Sequence, residues 1–314
     1  MLYQTIKNKV VDAAIRVAPN RLAHINNARL GFPPRVYIGA GGIGDDLLCT
    51  TVFRELKRRG EPKIVFRTGH PELFRGNSDV DTILRKKTPI IAELMIYGLN
   101  FFQLTYYVPL KNHFLASMCR MAGVTGEVAL RPYLFLTPAE LAAGRLHARQ
   151  IVIQSSGLGS ANPMRNKEWF PERFQAVADQ LQSQGRLIQM GTPSDPLLSG
   201  AIDLRGKTLL RQAAAILANS LVFVGQVGFL MHLARAVDCR SAIVYGGRET
   251  PATTGYTANK NLTGLTPCSP CWEENKCDYD RECMKMISVE ALVGAAMEQI
   301  GRHGSPLETE LVHL

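Results

Sequence analysis

Three groups of residues have the types and spacing for chemistry. The first is Gly41-Gly42-Ile43-Gly44-Asp45-Asp46, set between a short apolar run and an amphipathic one. Residues without a Cβ let the backbone approach a ligand closely, and the N–H groups of the helix that follows can hold an anion. Asp45 adds a carboxylate at the helix start that can take a proton from a hydroxyl. Its other reading is a helix cap; with Asp46 beside it, one carboxylate can cap and one can act. The second group is Gly225-Gln226-Val227-Gly228-Phe229-Leu230-Met231-His232, again strand, glycine turn, helix. Gly225 and Gly228 would allow close backbone approach. His232 is either a polar group on that helix or a buried structural histidine. The third is Cys268, Cys271, Cys277 and Cys283, four of the chain's 7 cysteines within 16 residues. Four thiolates at such spacing suit a tetrahedral zinc or iron, with free thiols and disulfides as the alternatives. Such a metal would be structural, because four ligands leave no open position. Cys49, Cys119 and Cys239 read as small buried hydrophobes.

The 314 residues have room for two domains, and 46% hydrophobic with 20% charged residues is a globular composition. No apolar run is long enough for a membrane span, and the N-terminus lacks the apolar core of a signal peptide. Both point to the cytoplasm, where thiols stay reduced. The net charge is +9. Basic residues concentrate at 54–63, where the end of a helix explains many of them, and at Arg85-Lys86-Lys87. No aromatics are interleaved with them and no nucleic-acid motif is present, so nucleic acid is not expected as a partner. An anionic substrate or membrane surface is.

Elements that would position these groups follow from hydrophobic period and breakers. Residues 1–30 read as one basic amphipathic helix, packed on a domain or lying on a membrane surface. Strands are expected at 35–40, 63–67 and 81–84, a helix at 45–59 and a short one at 71–74. The stretch 89–120 is aromatic-rich and ambiguous between core and acceptor pocket. Thr137-Pro138-Ala139-Glu140 has the pattern of a capped helix start, and 138–149 is the expected linker. The second half restarts with strands at 151–154, 186–190, 221–224 and 241–245. They alternate with helices at 171–184, 208–218 and 228–237, and a last helix at 289–300 is placed to return to the first domain. Strands alternating with helices imply parallel sheets. The expected divisions are 1–34, 35–145, 150–288 and 289–314.

The motif Gly41–Leu56 resembles the opening of bacterial glycosyltransferase family 9, the ADP-heptose:lipopolysaccharide heptosyltransferases. Pro71–Asp81, Asn166–Phe174 and Asp203–Leu209 are similar to later segments of that family, in order and with its spacing. The resemblance implies a GT-B fold, two Rossmann-like α/β domains with parallel sheets facing a central cleft. It also implies an inverting transfer that needs no catalytic cofactor. By it Asp45 is the general base, Lys167 holds the diphosphate of a nucleotide-diphosphate sugar, and His232 faces the donor phosphates. On sequence context alone Lys167 reads as a surface lysine. Gly41, Gly42 and Gly44 would form an acceptor or phosphate loop. Arg248, in the loop after the strand at 241–245, would contact the donor's base or ribose. Acceptors would be an anionic cell-surface glycan, a lipid-linked saccharide or a protein, with the enzyme cytoplasmic or peripheral on the inner membrane. Some autotransporter heptosyltransferases, which the chain also resembles, bind iron through four cysteines. The chain departs from the family where the usual acidic residue of the second glycine turn is Val227, with Gln226 the nearest substitute. The alternative function is therefore an inactive sugar-nucleotide-binding or scaffold protein.

Overall fold

The computed structural model describes residues 35–85, 89, 101–105 and 110–314. The expected helix over 1–30, its membrane contact, Lys86 and Lys87, and part of the aromatic stretch lie outside these residues.

Strand β1 (Val36–Ile38) runs through the first glycine turn into α1 (Ile43–Arg58). β2 (Val65–Thr68), a 3₁₀ turn at Pro71–Phe74, β3 (Thr82–Arg85) and β4 (Phe101–Gln103) complete a parallel sheet of order β3-β2-β1-β4. A parallel sheet is covered on both faces, and Val36, Tyr37, Val65 and Phe66 are fully buried. One face is closed by rings meeting edge to face, Phe53 on Phe66 at 4.8 Å and Phe66 on Phe74 at 5.0 Å. Each such pair adds about 0.5–1.5 kcal/mol beyond the area it buries. α2 (Phe114–Met121) packs on α1 and emerges from the ambiguous stretch. β5 (Glu127–Ala129) follows.

The passage to the second half is α3 (Pro138–Ala143). Thr137 and Glu140 form the expected capping box, each side chain bonding the other's backbone N–H. Glu140 also receives the Arg211 guanidinium at 2.5 and 2.7 Å. That fork, with Thr137 adding to it, holds the Glu140 carboxyl down to about 2. Arg211 further donates to the carbonyls of Glu72 and Phe135, so one side chain ties the passage to both halves.

The second sheet comprises β6 (Gln150–Ile153), β7 (Arg186–Gln189), β8 (Ile202–Asp203), β9 (Ser220–Gln226), β10 (Ser241–Val244) and β11 (Lys260–Leu262). All pairs are parallel and the order is β11-β10-β9-β6-β7-β8. The chain leaves β6 to one side and returns to β9 on the other. Ligands of open α/β sheets bind outside the strand ends at such a reversal. Helices α4 (Pro171–Leu181), α5 (Leu210–Ala218) and α6 (Phe229–Ala236) make the crossovers, and a short α7 (Pro251–Thr254) follows β10. α6 packs against α1, so the helices that follow the two glycine turns meet, and one apolar cluster runs from Tyr37 through Val52 and Met231 to Phe223.

A short α8 (Glu282–Lys285) precedes α9 (Val289–Gly301), which lies on α4 and the second sheet. The helix does not return to the first half. The tail does: β12 (Leu311–His313) pairs antiparallel with β5. β8 and β11 are edge strands of two and three residues, too short for any alternation to announce them.

Much of the basic stretch at 54–63 is neutralised within the fold. Arg54 pairs with Asp79, Lys57 with Asp81 and Arg59 with Glu55. Among the described residues no helix is long and apolar enough to cross a membrane.

Candidate active site between the two sheets

The ends of β1, β6 and β9 open on one cavity of about 540 Å³. The first half contributes Gly42, Gly44 and Asp45; the second contributes Gln154, Lys167, Glu168, Gln226, Gly228 and His232. Thus Gly42, Gly44, Asp45, Lys167, Gln226, Gly228 and His232, drawn from distant parts of the chain, share one cavity, while Gly41, Gly225, Arg248 and the four clustered cysteines do not line it.

The two adjacent aspartates are separated by the helix twist. Asp46 is buried and accepts from the Thr68 hydroxyl at 2.5 Å, with the His70 ring nitrogen at 2.8 Å. It anchors α1 to β2 and the turn after it. Asp45 stays at the cavity and accepts the Gly42 N–H at 3.2 Å, so it also caps the helix. Gly41 has φ +112°, which side chains resist, and this lets the turn bend back on itself. Gly44, with open space around its Cα, is part of the helix itself.

Lys167 ends a 3₁₀ turn at Arg165–Lys167 and places its ammonium 2.5 Å from Glu249 Oε1. Glu249 is 3% exposed. Burial works to raise its carboxyl, but Lys167 first and then Arg248 hold it below the usual range. Arg248 is elsewhere than expected. It is 4% exposed, bonded to Glu249 and to the Glu273 carbonyl, with Trp272 against its guanidinium. It supports Glu249 from behind and does not line the cavity.

Gly225 also departs from its expected place. It belongs to β9, and a Cβ there would meet the Phe223 ring at 2.6 Å, so its small size serves packing under the strand. Gly225→Ala is expected to destabilise the protein by about 1–3 kcal/mol through overpacking, read by denaturant unfolding, with unchanged nucleotide affinity in the folded fraction. Gly228 is the residue at the turn: it caps α6 and has nothing within 4 Å of where a Cβ would be, so its N-terminal edge is open to a ligand.

His232 is part-buried, and its Nδ1 lies 2.8 Å from the Tyr256 hydroxyl. Burial, reinforced by nearby Lys167, pushes the imidazole down to about 3. Burial also pushes His113 down to about 4. Both rings are neutral at pH 7. Tyr256 carries its proton, as burial raises the phenol well above its usual value. With that hydroxyl donating to Nδ1, the His232 proton sits on Nε2 as a neutral donor. Both histidines bind protons more readily unfolded than folded. Their contribution to stability is full above about pH 6.5 and declines as pH falls towards 4. Substituting both with Asn is therefore expected to flatten the fall of Tm between pH 6.5 and 4.5.

The segment carrying the clustered cysteines holds the lysine segment in place. Asn166 donates to the Glu273 and Lys276 carbonyls at 3.1 and 2.7 Å. Arg281 donates to the Glu168 carbonyl, and the Trp169 indole donates to the Met284 carbonyl. Burial, with Cys277 and Cys271 nearby, pushes the Cys283 thiol up. Cys268 Sγ is 3.2 Å from the Thr266 hydroxyl and Cys277 Sγ accepts the Arg281 N–H at 3.3 Å. All seven thiols are free, and among the described residues no group of three or more His, Cys, Asp or Glu is set to hold a metal. Four thiols suit zinc or iron chemically, but their arrangement here does not fit one, contrary to the expectation from spacing. Cys49, Cys119 and Cys239 are buried as expected, and burial pushes the last two up to about 12.

A second cavity, about 790 Å³, lies along the passage between the halves. Most of its charged side chains are committed to ion pairs: Arg211 and Arg75 to Glu140, and Lys207 to Asp203. It offers little unpaired charge to a ligand.

Residues 148–280 match the family model described as glycosyltransferase family 9 (heptosyltransferase). This bears out the resemblance read in the motifs. No curated protein matches the chain by sequence. Among solved structures the chain is similar to the ADP-heptose lps heptosyltransferase II of E. coli, at 15% identity and TM-score 0.65 over 85% of this chain and 98% of that one. It is similar to a family 9 glycosyl transferase from Veillonella parvula at 15% identity and TM-score 0.65, over 86% and 98%. It is also similar to TibC, an iron-containing dodecameric glycosyltransferase of enterotoxigenic E. coli, at 16% identity and TM-score 0.67, over 86% and 77%. The fold is the α/β GT-B arrangement of these structures.

Proposed function

We propose that this chain, with a glycosyltransferase family 9 domain over residues 148–280 and the fold of that family's solved members, transfers a sugar from a nucleotide-diphosphate sugar to a hydroxyl. The single observation that carries this reading is the shared cavity. A carboxylate on the first half, Asp45, faces the same space as Lys167, His232 and the open helix N-terminus at Gly228 on the second. The acceptor is a cell-surface glycan, a lipid-linked saccharide or a protein. TibC, similar in fold, has been solved with ADP-D-β-D-heptose, which makes ADP-heptose the first donor to test.

The reaction is one inverting displacement. The acceptor oxygen attacks the anomeric carbon and forms the new C–O bond as the bond to the diphosphate breaks. The electron pair leaves with the nucleoside diphosphate, and the acceptor proton passes to Asp45. Lys167, the His232 Nε2–H and the α6 N-terminus stabilise the charge that grows on the leaving group. Protein groups supply every step, so no cofactor is invoked.

Thermal unfolding against ADP, UDP, GDP and their sugars tests the reading. A ligand at 100 times its Kd adds about 2.7 kcal/mol to the folded state. A clear rise in Tm with one nucleotide sugar is expected; no rise with any removes the donor site. A second reading, a binding protein without transfer, is favoured by Val227, which is 7% exposed and packed into the core where the family has an acid. Binding of a nucleotide sugar with no transfer or donor hydrolysis would establish it.

A further inference from the structure

Gln226 is not available to replace the missing acidic group. Its amide nitrogen donates to Glu168 and its oxygen accepts the Trp169 N–H at 3.2 Å. It is 2% exposed, and both ends of its amide are used within the protein.

What Gln226 holds is a carboxylate. Glu168 is 6% exposed and lines the cavity. Its Oε1 takes the Gly157 N–H at 2.7 Å and the Gln226 amide, while Oε2 takes the Ser156 hydroxyl at 2.8 Å. A carboxylate oxygen accepts about two hydrogen bonds. Oε1 is therefore filled and Oε2 keeps one place. Nearby, Gln154 donates its amide to the Ser156 carbonyl at 2.7 Å, while its Oε1 is buried without a partner. Gln154 lines the same cavity. Two acceptors with unfilled capacity thus flank Ser156. Such a pair matches neutral O–H donors and disfavours phosphate, which has no proton to give and carries like charge. Phosphates belong instead beside Lys167, His232 and Gly228.

We infer that Glu168, held by Gln226 and aided by Gln154, is a specificity-determining residue that accepts a hydroxyl of the donor, from its ribose or from the transferred sugar. The inference rests on the nucleotide-sugar reading and supplies from another segment the acid absent at Val227.

The test is the affinity of wild type and Glu168→Gln for ADP, 2′-deoxy-ADP and ADP-heptose, with Tm alongside. Glutamine keeps the shape but loses the charge that makes the acceptor strong. If the hydroxyl belongs to the transferred sugar, ADP-heptose is expected to lose about 10-fold or more while ADP is unchanged. If it belongs to the ribose, ADP loses that factor and the preference over 2′-deoxy-ADP disappears. Equal affinities for all three overturn the inference, as does a uniform loss with a lowered Tm, which is a structural role. Should Glu168→Gln fail to fold, Gln154→Met is expected to weaken the same one ligand, and a variant that binds all three as wild type does overturns the inference. Wild type that binds none of the three overturns the donor reading beneath it.

Discussion

Asp45→Asn is expected to lower turnover by about 10²- to 10⁴-fold, the range of a general base, with donor affinity and Tm near wild type. Asparagine is the informative change because its side-chain oxygen can still accept the Gly42 N–H that Asp45 takes at 3.2 Å. Alanine would remove that cap as well, costing about 1 kcal/mol and mixing stability with chemistry. Asp46→Asn is the control. That carboxylate is buried against Thr68 and His70, so its loss should appear as a lower Tm. Steady-state kinetics with any acceptor that supports transfer decides the matter. An Asp45→Asn enzyme of full activity would leave Asp45 a cap and nothing more.

Lys167→Ala is expected to act twice. Donor affinity should fall by about 10- to 100-fold, the worth of a charge-assisted bond to phosphate. Stability should fall too, because Glu249, 3% exposed, loses the closer of its two cations. Breaking a buried pair costs about 3–5 kcal/mol, and the remaining Arg248 at 3.1 Å reduces that figure. The double variant Lys167→Ala/Glu249→Gln tests the first effect apart from the Glu249 charge. It should recover none of the donor affinity and no Tm, because Arg248, 4% exposed, is then left without its carboxylate partner. Recovery of affinity in the double variant would mean that Lys167 only neutralises Glu249.

Much of this site was legible because glycine turns after apolar runs have a mechanical meaning. The turn at Gly41–Gly44, the helix after it and the capping box at Thr137 and Glu140 all lie where the sequence puts them. So do the alternating strands and helices of the second half. Two residues were misplaced for one reason: local sequence does not say which way a side chain or a strand end faces. Gly225 stays in β9 because Phe223 folds its ring beneath it. Arg248 turns inward because Glu249 and Trp272 receive it. Glu168 was passed over between Lys167 and Trp169, and only the approach of β9 shows its carboxylate beside Gln226. Cysteine spacing suits a metal, free thiols or disulfides alike; here the thiols are free, Cys268 beside the Thr266 hydroxyl and Cys277 accepting the Arg281 N–H.

The most direct measurement of the central claim is amide hydrogen exchange of the wild-type protein with and without ADP-heptose. Exchange slows where a bound ligand covers or rigidifies backbone. The expected result is protection at 154–168 and 225–232, on the second-half wall of the cavity, with 139–146 unchanged. Protection at 139–146, which lines only the other cavity, or no protection at saturating ligand, would contradict a donor site between the glycine turns.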